Sequence, residues 1–187
     1  EWYKVLIHEL FHNFNLDFAT RNISKWREIL KKEIGIKSKY NIYEVYCETW
    51  ARILNSMILS FLKTKQKSEF FITFKKIFAQ EQLFTMIQCN KIYKRIQSSN
   101  NYKEKTNVLC YYVFTAVLIL NYKFFLHWCN LRGKIKFINT IKNIDSFLNL
   151  ILINFNNKSF FKTINYVNTI KDHKYKHSLR MTIADTL

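Results

Sequence analysis

Two histidines four residues apart, His8 and His12, lie in the run Val5-Leu6-Ile7-His8-Glu9-Leu10-Phe11-His12-Asn13-Phe14. On a helix this spacing puts both imidazoles on one face, one turn apart, where they can share a metal ion at about 2.0–2.1 Å. Glu9 is displaced by about 100° around the helix, so its carboxylate reaches a water on the metal rather than the metal itself. A metal acidifies that water, and the glutamate takes its proton as the water attacks a carbonyl. The flanking residues are apolar or uncharged. Two imidazoles on such a face are costly to bury without a ligand or a partner.

A zinc site of this kind needs a third protein ligand. The extended pattern HExxHxxGxxH would require Gly at position 15 and His at 18, where this chain has Asn15 and Phe18. Asp17 points away from the histidine pair if the helix continues past it, and so reads as a surface or capping residue. The next strong helix offers Glu44 and Glu48 within Tyr43-Glu44-Val45-Tyr46-Cys47-Glu48-Thr49-Trp50-Ala51. They sit one turn apart on the same face. Whichever is not a ligand can orient an imidazole. Cys47 points elsewhere on that helix and reads as a buried thiol.

Residues 5–52 resemble the gluzincin class of zinc metallopeptidases, in which HExxH on one helix is completed by a Glu on a following helix, often as Glu-x-x-Ala. Glu48-Thr49-Trp50-Ala51 matches that second element. The resemblance implies one Zn2+ held by His8, His12 and Glu48, with Glu9 as general base and proton shuttle and a peptide or protein as substrate. Glu44 stays the rival for the third position. The 35 residues between His12 and Glu48 exceed the gap in thermolysin-like members. Members related to neprilysin and thermolysin also place a His and an Arg downstream, to stabilise the oxyanion and hold the substrate carbonyl. His177 and Arg180, in His173-Lys174-Tyr175-Lys176-His177-Ser178-Leu179-Arg180, supply both types, with Tyr175 as a further donor. The competing reading of this stretch is a solvated basic tail. The class keeps an edge strand upstream of HExxH, and none precedes it here. The expectation is therefore a mainly α, helical catalytic lobe that an upstream region completes.

The elements that must position these residues show helical periodicity throughout. Helices are expected at about 3–18, 24–33, 41–62 with Asn41 as N-cap, 69–97, 106–130, 134–154 and 159–172. Val108 to Leu120 is a 13-residue apolar run broken only by Thr115. A membrane-spanning helix needs about 20 such residues, so this run reads as a buried central helix. His127, beside Trp128, reads as a core or boundary residue. With no repeat and no long linker, the chain reads as one helical domain, 1–62 holding the zinc and 63–187 forming a basic bundle.

Composition narrows the alternatives. In 187 residues there are two Gly and no Pro, which excludes Gly-rich phosphate loops and hence Rossmann and P-loop chemistry. The net charge of +17 is uneven: residues 1–60 carry 9 basic and 7 acidic side chains, residues 61–187 carry 21 and 6. This suggests the runner-up, a basic helical protein that binds nucleic acid or an anionic membrane surface, its HExxH accidental or vestigial. Scattered doublets such as Lys31–Lys32, Lys75–Lys76 and Lys94–Arg95 disfavour it. Lys outnumbers Arg 24 to 6, and the Lys, Asn and Ile content is similar to that of large DNA virus proteins and other products of AT-rich genomes. Four widely spaced cysteines without a CxxC pair predict free thiols, as in a reducing compartment such as a host cytoplasm or a virion.

Overall fold

The apolar run beginning at Val108 becomes the centre of the molecule, because nothing else in the chain is as uniformly water-avoiding. A computed structural model describes residues 1–35, 40–99, 102–170 and 178–184; it has eight α-helices, one of them within this run, and no strand among the described residues. In chain order these are α1 (Trp2–Asn13), α2 (Ser24–Ile34), α3 (Tyr43–Lys63), α4 (Phe70–Gln97), α5 (Thr115–Leu120), α6 (Tyr122–Asn130), α7 (Ile141–Phe155) and α8 (Lys158–Thr169). The mainly α class expected from periodicity is the class observed. No single described helix is long and apolar enough to cross a membrane.

The centre departs from one straight helix. Leu109–Phe114 is a π-helical segment that runs directly into α5. At its end the Cys110 carbonyl accepts from both the Thr115 backbone N–H and Thr115 Oγ1, the latter at 2.8 Å. Asn121 then breaks the helix, its side-chain amide donating to Val117 O at 2.9 Å, and α6 leaves at 85°. The expected helix 134–154 also starts late. Residues 131–140 form a turn and an extended stretch around Gly133, whose φ of +100° suits glycine. A Cβ there would lie 2.7 Å from Ile138 Cγ1. His127, expected in the core or at its boundary, is exposed on α6.

Two antiparallel pairings build the site. α1 runs antiparallel to α3, since Lys4 reaches Glu48, His8 reaches Glu44, and the His12 ring meets that of Tyr43. α3 runs antiparallel to α4, joined by the turn after Lys63, with Arg52 bonded to Thr85. Asn41 does not cap α3. The cap position is Ile42, while Asn41 takes a bond from Arg27 and donates its N–H to Asn107 at 2.9 Å.

α7 locks the segment that follows α1. Phe147, fully buried, has its ring centroid 5.4–6.0 Å from those of Phe18, Tyr46, Trp128 and Phe137. Phe137 N–H also bonds Leu16 O at 2.7 Å. Phe147→Ala opens a cavity against four aromatic rings, and a loss of about 3–5 kcal/mol in urea unfolding is the expected result.

Candidate metal centre

α1 and α3 each carry a polar stripe at intervals of four: Lys4, His8 and His12 on one, Glu44, Glu48 and Arg52 on the other. On a helix such residues share a face, and antiparallel packing lays the two stripes together. His8 sits between the glutamates. Its Nε2 lies 3.0 Å from Glu44 Oε2, and its Nδ1 lies 3.1 Å from Glu48 Oε2. His12 Nε2 is 3.2 Å from His8 Nε2 and 3.6 Å from Glu44 Oε2. His8, His12 and Glu44 thus each offer one ligand atom to a common point, and such a group could hold a metal ion.

The spacing can be tested against the ion. A tetrahedral metal with bonds of 2.0–2.1 Å has donor–donor edges of about 3.3 Å. The three observed edges of 3.0, 3.2 and 3.6 Å bracket that value. An ion held by three protein donors of N, N and O type would need a fourth ligand from elsewhere to complete a tetrahedron.

The remaining ring nitrogens are held by carboxylates, as is usual for metal-ligating histidines. Glu48 holds His8 Nδ1, and Asp17 holds His12 Nδ1. Glu48, expected as the third ligand, bonds His8 from the Nδ1 side, and it is the Glu44 oxygen that converges with the two Nε2 atoms. The reason is charge: Glu48 is fully buried and accepts bonds from Lys4 Nζ at 2.8 and 3.1 Å and from Arg52 Nε at 2.9 Å. Glu44 is positioned by Asn107 Nδ2 at 3.2 Å and by the Tyr111 hydroxyl at 3.1 Å.

Asp17 is a second correction. Instead of continuing to residue 18, α1 ends at Asn13, and Asn15 turns the chain with φ of +50°. Asn tolerates that left-handed conformation better than most residues. The reversal brings Asp17 beneath His12, buried, with Oδ1 accepting from Ala19 N–H at 2.9 Å. Cys47 is buried as expected and donates to Asp17 at 3.3 Å. With His12 and Asp17 it forms a second possible donor group that shares His12.

Glu9 is exposed and lines a cavity of about 130 Å³ together with Lys4, Val5, His8, Glu48, Tyr111 and Met181. That volume holds roughly four waters. Arg180 does not reach the histidines; it pairs with Glu1 at 3.7 Å, next to Met181 on the cavity wall. His177, His173 and Tyr175 lie outside the described residues. Lys31–Lys32 fall on α2, Lys75–Lys76 near the start of α4, and Lys94–Arg95 near its end, on three separate stretches of helix.

Sequence reasoning missed Lys4, Arg52, Asn107 and Tyr111. Lys4 and Arg52 were signalled by the interval of four that continues each stripe. Asn107 and Tyr111 carry no local signal, because the π-helical segment that aims Tyr111 is a tertiary feature. No protein-family model, curated protein or solved structure matches the chain.

Charge coupling sets the protonation of the cluster. Burial opposes protonation of His8, but the bonds and charges of Glu44 and Glu48 outweigh it and raise the pKa to about 9. Burial likewise opposes ionisation of Glu48, and Lys4, Arg52 and His8 overcome it, lowering the pKa to about 2. A histidine whose folded pKa is raised stabilises the fold below its ordinary value and loses that contribution as pH climbs through the raised one. In metal-free protein with chelator present, the urea midpoint is expected to fall between pH 6.5 and about 9. His8→Gln should flatten that fall; an unchanged slope in the variant would place its origin elsewhere.

Proposed function

We propose that this chain is the helical, metal-holding part of a zinc-dependent metallopeptidase. The observation that carries the reading is the triangle of His8 Nε2, His12 Nε2 and Glu44 Oε2, with edges of 3.0–3.6 Å and both Nδ1 atoms held by carboxylates. Two nitrogens and one carboxylate oxygen suit zinc. Zinc, when bound, supplies Lewis acidity that makes water a nucleophile near neutral pH.

The protein's own groups do the rest. Glu9, on the cavity rim next to His8, accepts the proton from the attacking water and returns it to the leaving amine. Glu48 and Asp17 hold the imidazoles with Nε2 facing inward, and Asn107 and Tyr111 hold the Glu44 carboxylate. Holding these groups in advance removes the reorganisation that would otherwise add to the barrier. The cavity beside Glu9 is lined by His8 but by neither His12 nor Glu44, so a peptide would reach the triangle from outside it. Arg180, one residue from the cavity wall, is the candidate for holding a backbone carbonyl there.

Metal analysis of purified protein tests the reading. One zinc per chain is expected, lost in His8→Ala and Glu44→Ala and retained in Glu48→Gln with about 10–100-fold weaker affinity. Glu9→Gln should keep the zinc and lose about 10²–10⁴-fold of peptide hydrolysis. Well-folded protein that takes up no zinc would overturn the proposal, leaving His8 as an imidazolium between two glutamates. A zinc-loaded protein whose hydrolysis is insensitive to Glu9→Gln would overturn the assigned mechanism.

A further inference from the structure

At the turn between α3 and α4 the core gives out while apolar side chains continue. Phe61 and Leu62 end α3, Phe71 and Ile72 begin α4, and all four are 59–71% exposed. Four large apolar side chains exposed on both sides of one helix–helix turn exceed the single scattered exposures that a surface ordinarily carries. Lys65, Lys67, Lys75 and Lys76 are exposed among them, and Lys63 ends α3. Residues 61–76 contain five Lys and a single acidic residue, Glu69. On the flank of the tip the Tyr122 ring packs 4.7 Å from that of Phe78, and the next two residues, Lys123 and Phe124, are exposed.

We infer that the α3–α4 tip is a docking surface for an anionic lipid bilayer. Phe, Leu and Ile enter the boundary between headgroups and acyl chains, and Lys side chains around them meet the negative surface potential. The chemistry favours lipid over nucleic acid. Phe61 and Phe71 have π faces on which a base could stack, but Leu62 and Ile72 beside them have none. Residues 61–76 contain no Arg, the residue whose planar fork reads phosphate and guanine edges. Phe61 lies about 25 Å along α3 from Glu44, at a rise of 1.5 Å per residue. Docking therefore leaves the candidate metal centre uncovered and is independent of how that centre is read.

Sedimentation with vesicles of phosphatidylcholine, with and without phosphatidylserine, tests the inference. The wild-type chain is expected to bind the phosphatidylserine vesicles, weakly or not at all the neutral ones, and less tightly as salt rises. The triple change Lys65→Glu, Lys67→Glu and Lys75→Glu should lower affinity by about 100-fold or more. Lys142→Glu, Lys158→Glu and Lys162→Glu make the same change in net charge on exposed sites of α7 and α8. They should leave affinity within about twofold, because charges beyond a Debye length are screened. Phe61→Ser with Phe71→Ser should weaken binding even where all lysines remain. The inference is overturned if the two triple variants lose affinity equally, which would mean diffuse attraction to a protein of high net charge. It is also overturned if no vesicle binds, or if a duplex or single-stranded oligonucleotide binds the same tip more tightly than the vesicles do.

Discussion

A carboxylate wholly excluded from water must be neutralised where it lies, and the α1–α3 pairing is arranged around that requirement at Glu48. Lys4 and Arg52, both about 1% exposed, and His8 converge on its two oxygens. Such a cluster adds little net stability over an apolar core of the same volume, but removing one member leaves an uncompensated buried charge. Its effect is therefore on register. Sliding α1 along α3 by one turn would move Lys4 off Glu48 and leave Arg52, on α3 itself, as the only lysine or arginine among the described residues bonded to it. The register that satisfies Glu48 is also the one that brings His8 and His12 to Glu44.

From that pairing the support spreads outward through four separate parts of the chain. α1 supplies the imidazoles, α3 the glutamates, the turn after α1 supplies Asp17, and the segment before α5 supplies Asn107 and Tyr111. The π-helical turn at Leu109–Phe114 contributes at two points. Its Tyr111 hydroxyl bonds Glu44, while the Tyr111 carbonyl accepts from Arg52 Nη2 at 3.0 Å. Insertions of this kind in helices are frequent where a side chain has to be aimed at a site. Here one residue ties the carboxylate that faces the imidazoles to the cation that neutralises the carboxylate behind them.

Arg52 also carries the network away from the centre. Its Nη1 bonds Thr85 and lies 3.6 Å from Glu81 Oε1. Glu81 is fully buried, and burial raises its pKa despite Arg52 and the bonds it accepts from Ile183 N–H and the Thr182 hydroxyl. The stretch 178–184 is thereby anchored to α4. Met181, within that stretch, faces Lys4 and forms part of the cavity wall. A segment more than 130 positions from Glu48 in the sequence thus shares its electrostatic environment.

Much of this was legible in the residues alone. Periodicity located the helices, because apolar spacing near 3.6 reports which face is buried whatever it is buried against. Spacing of four likewise placed His8 with His12 and Glu44 with Glu48, since a shared helical face is a local property. The ends of helices were less legible: α1 stops at Asn13 because the chain is pulled back by the contacts of Leu16 and Phe18 with Phe137, which are distant in sequence. The choice between Glu44 and Glu48 lay beyond local reading altogether. Both are carboxylates on the same face of α3, and only the positions of Lys4 and Arg52 against Asn107 and Tyr111 make one a balanced buried charge and bring the oxygen of the other to the histidine pair. The sequence by itself determined which groups could do the chemistry and that helices would carry them. The tertiary structure decided their roles, because a carboxylate's role depends on which charges surround it, and those come from other helices.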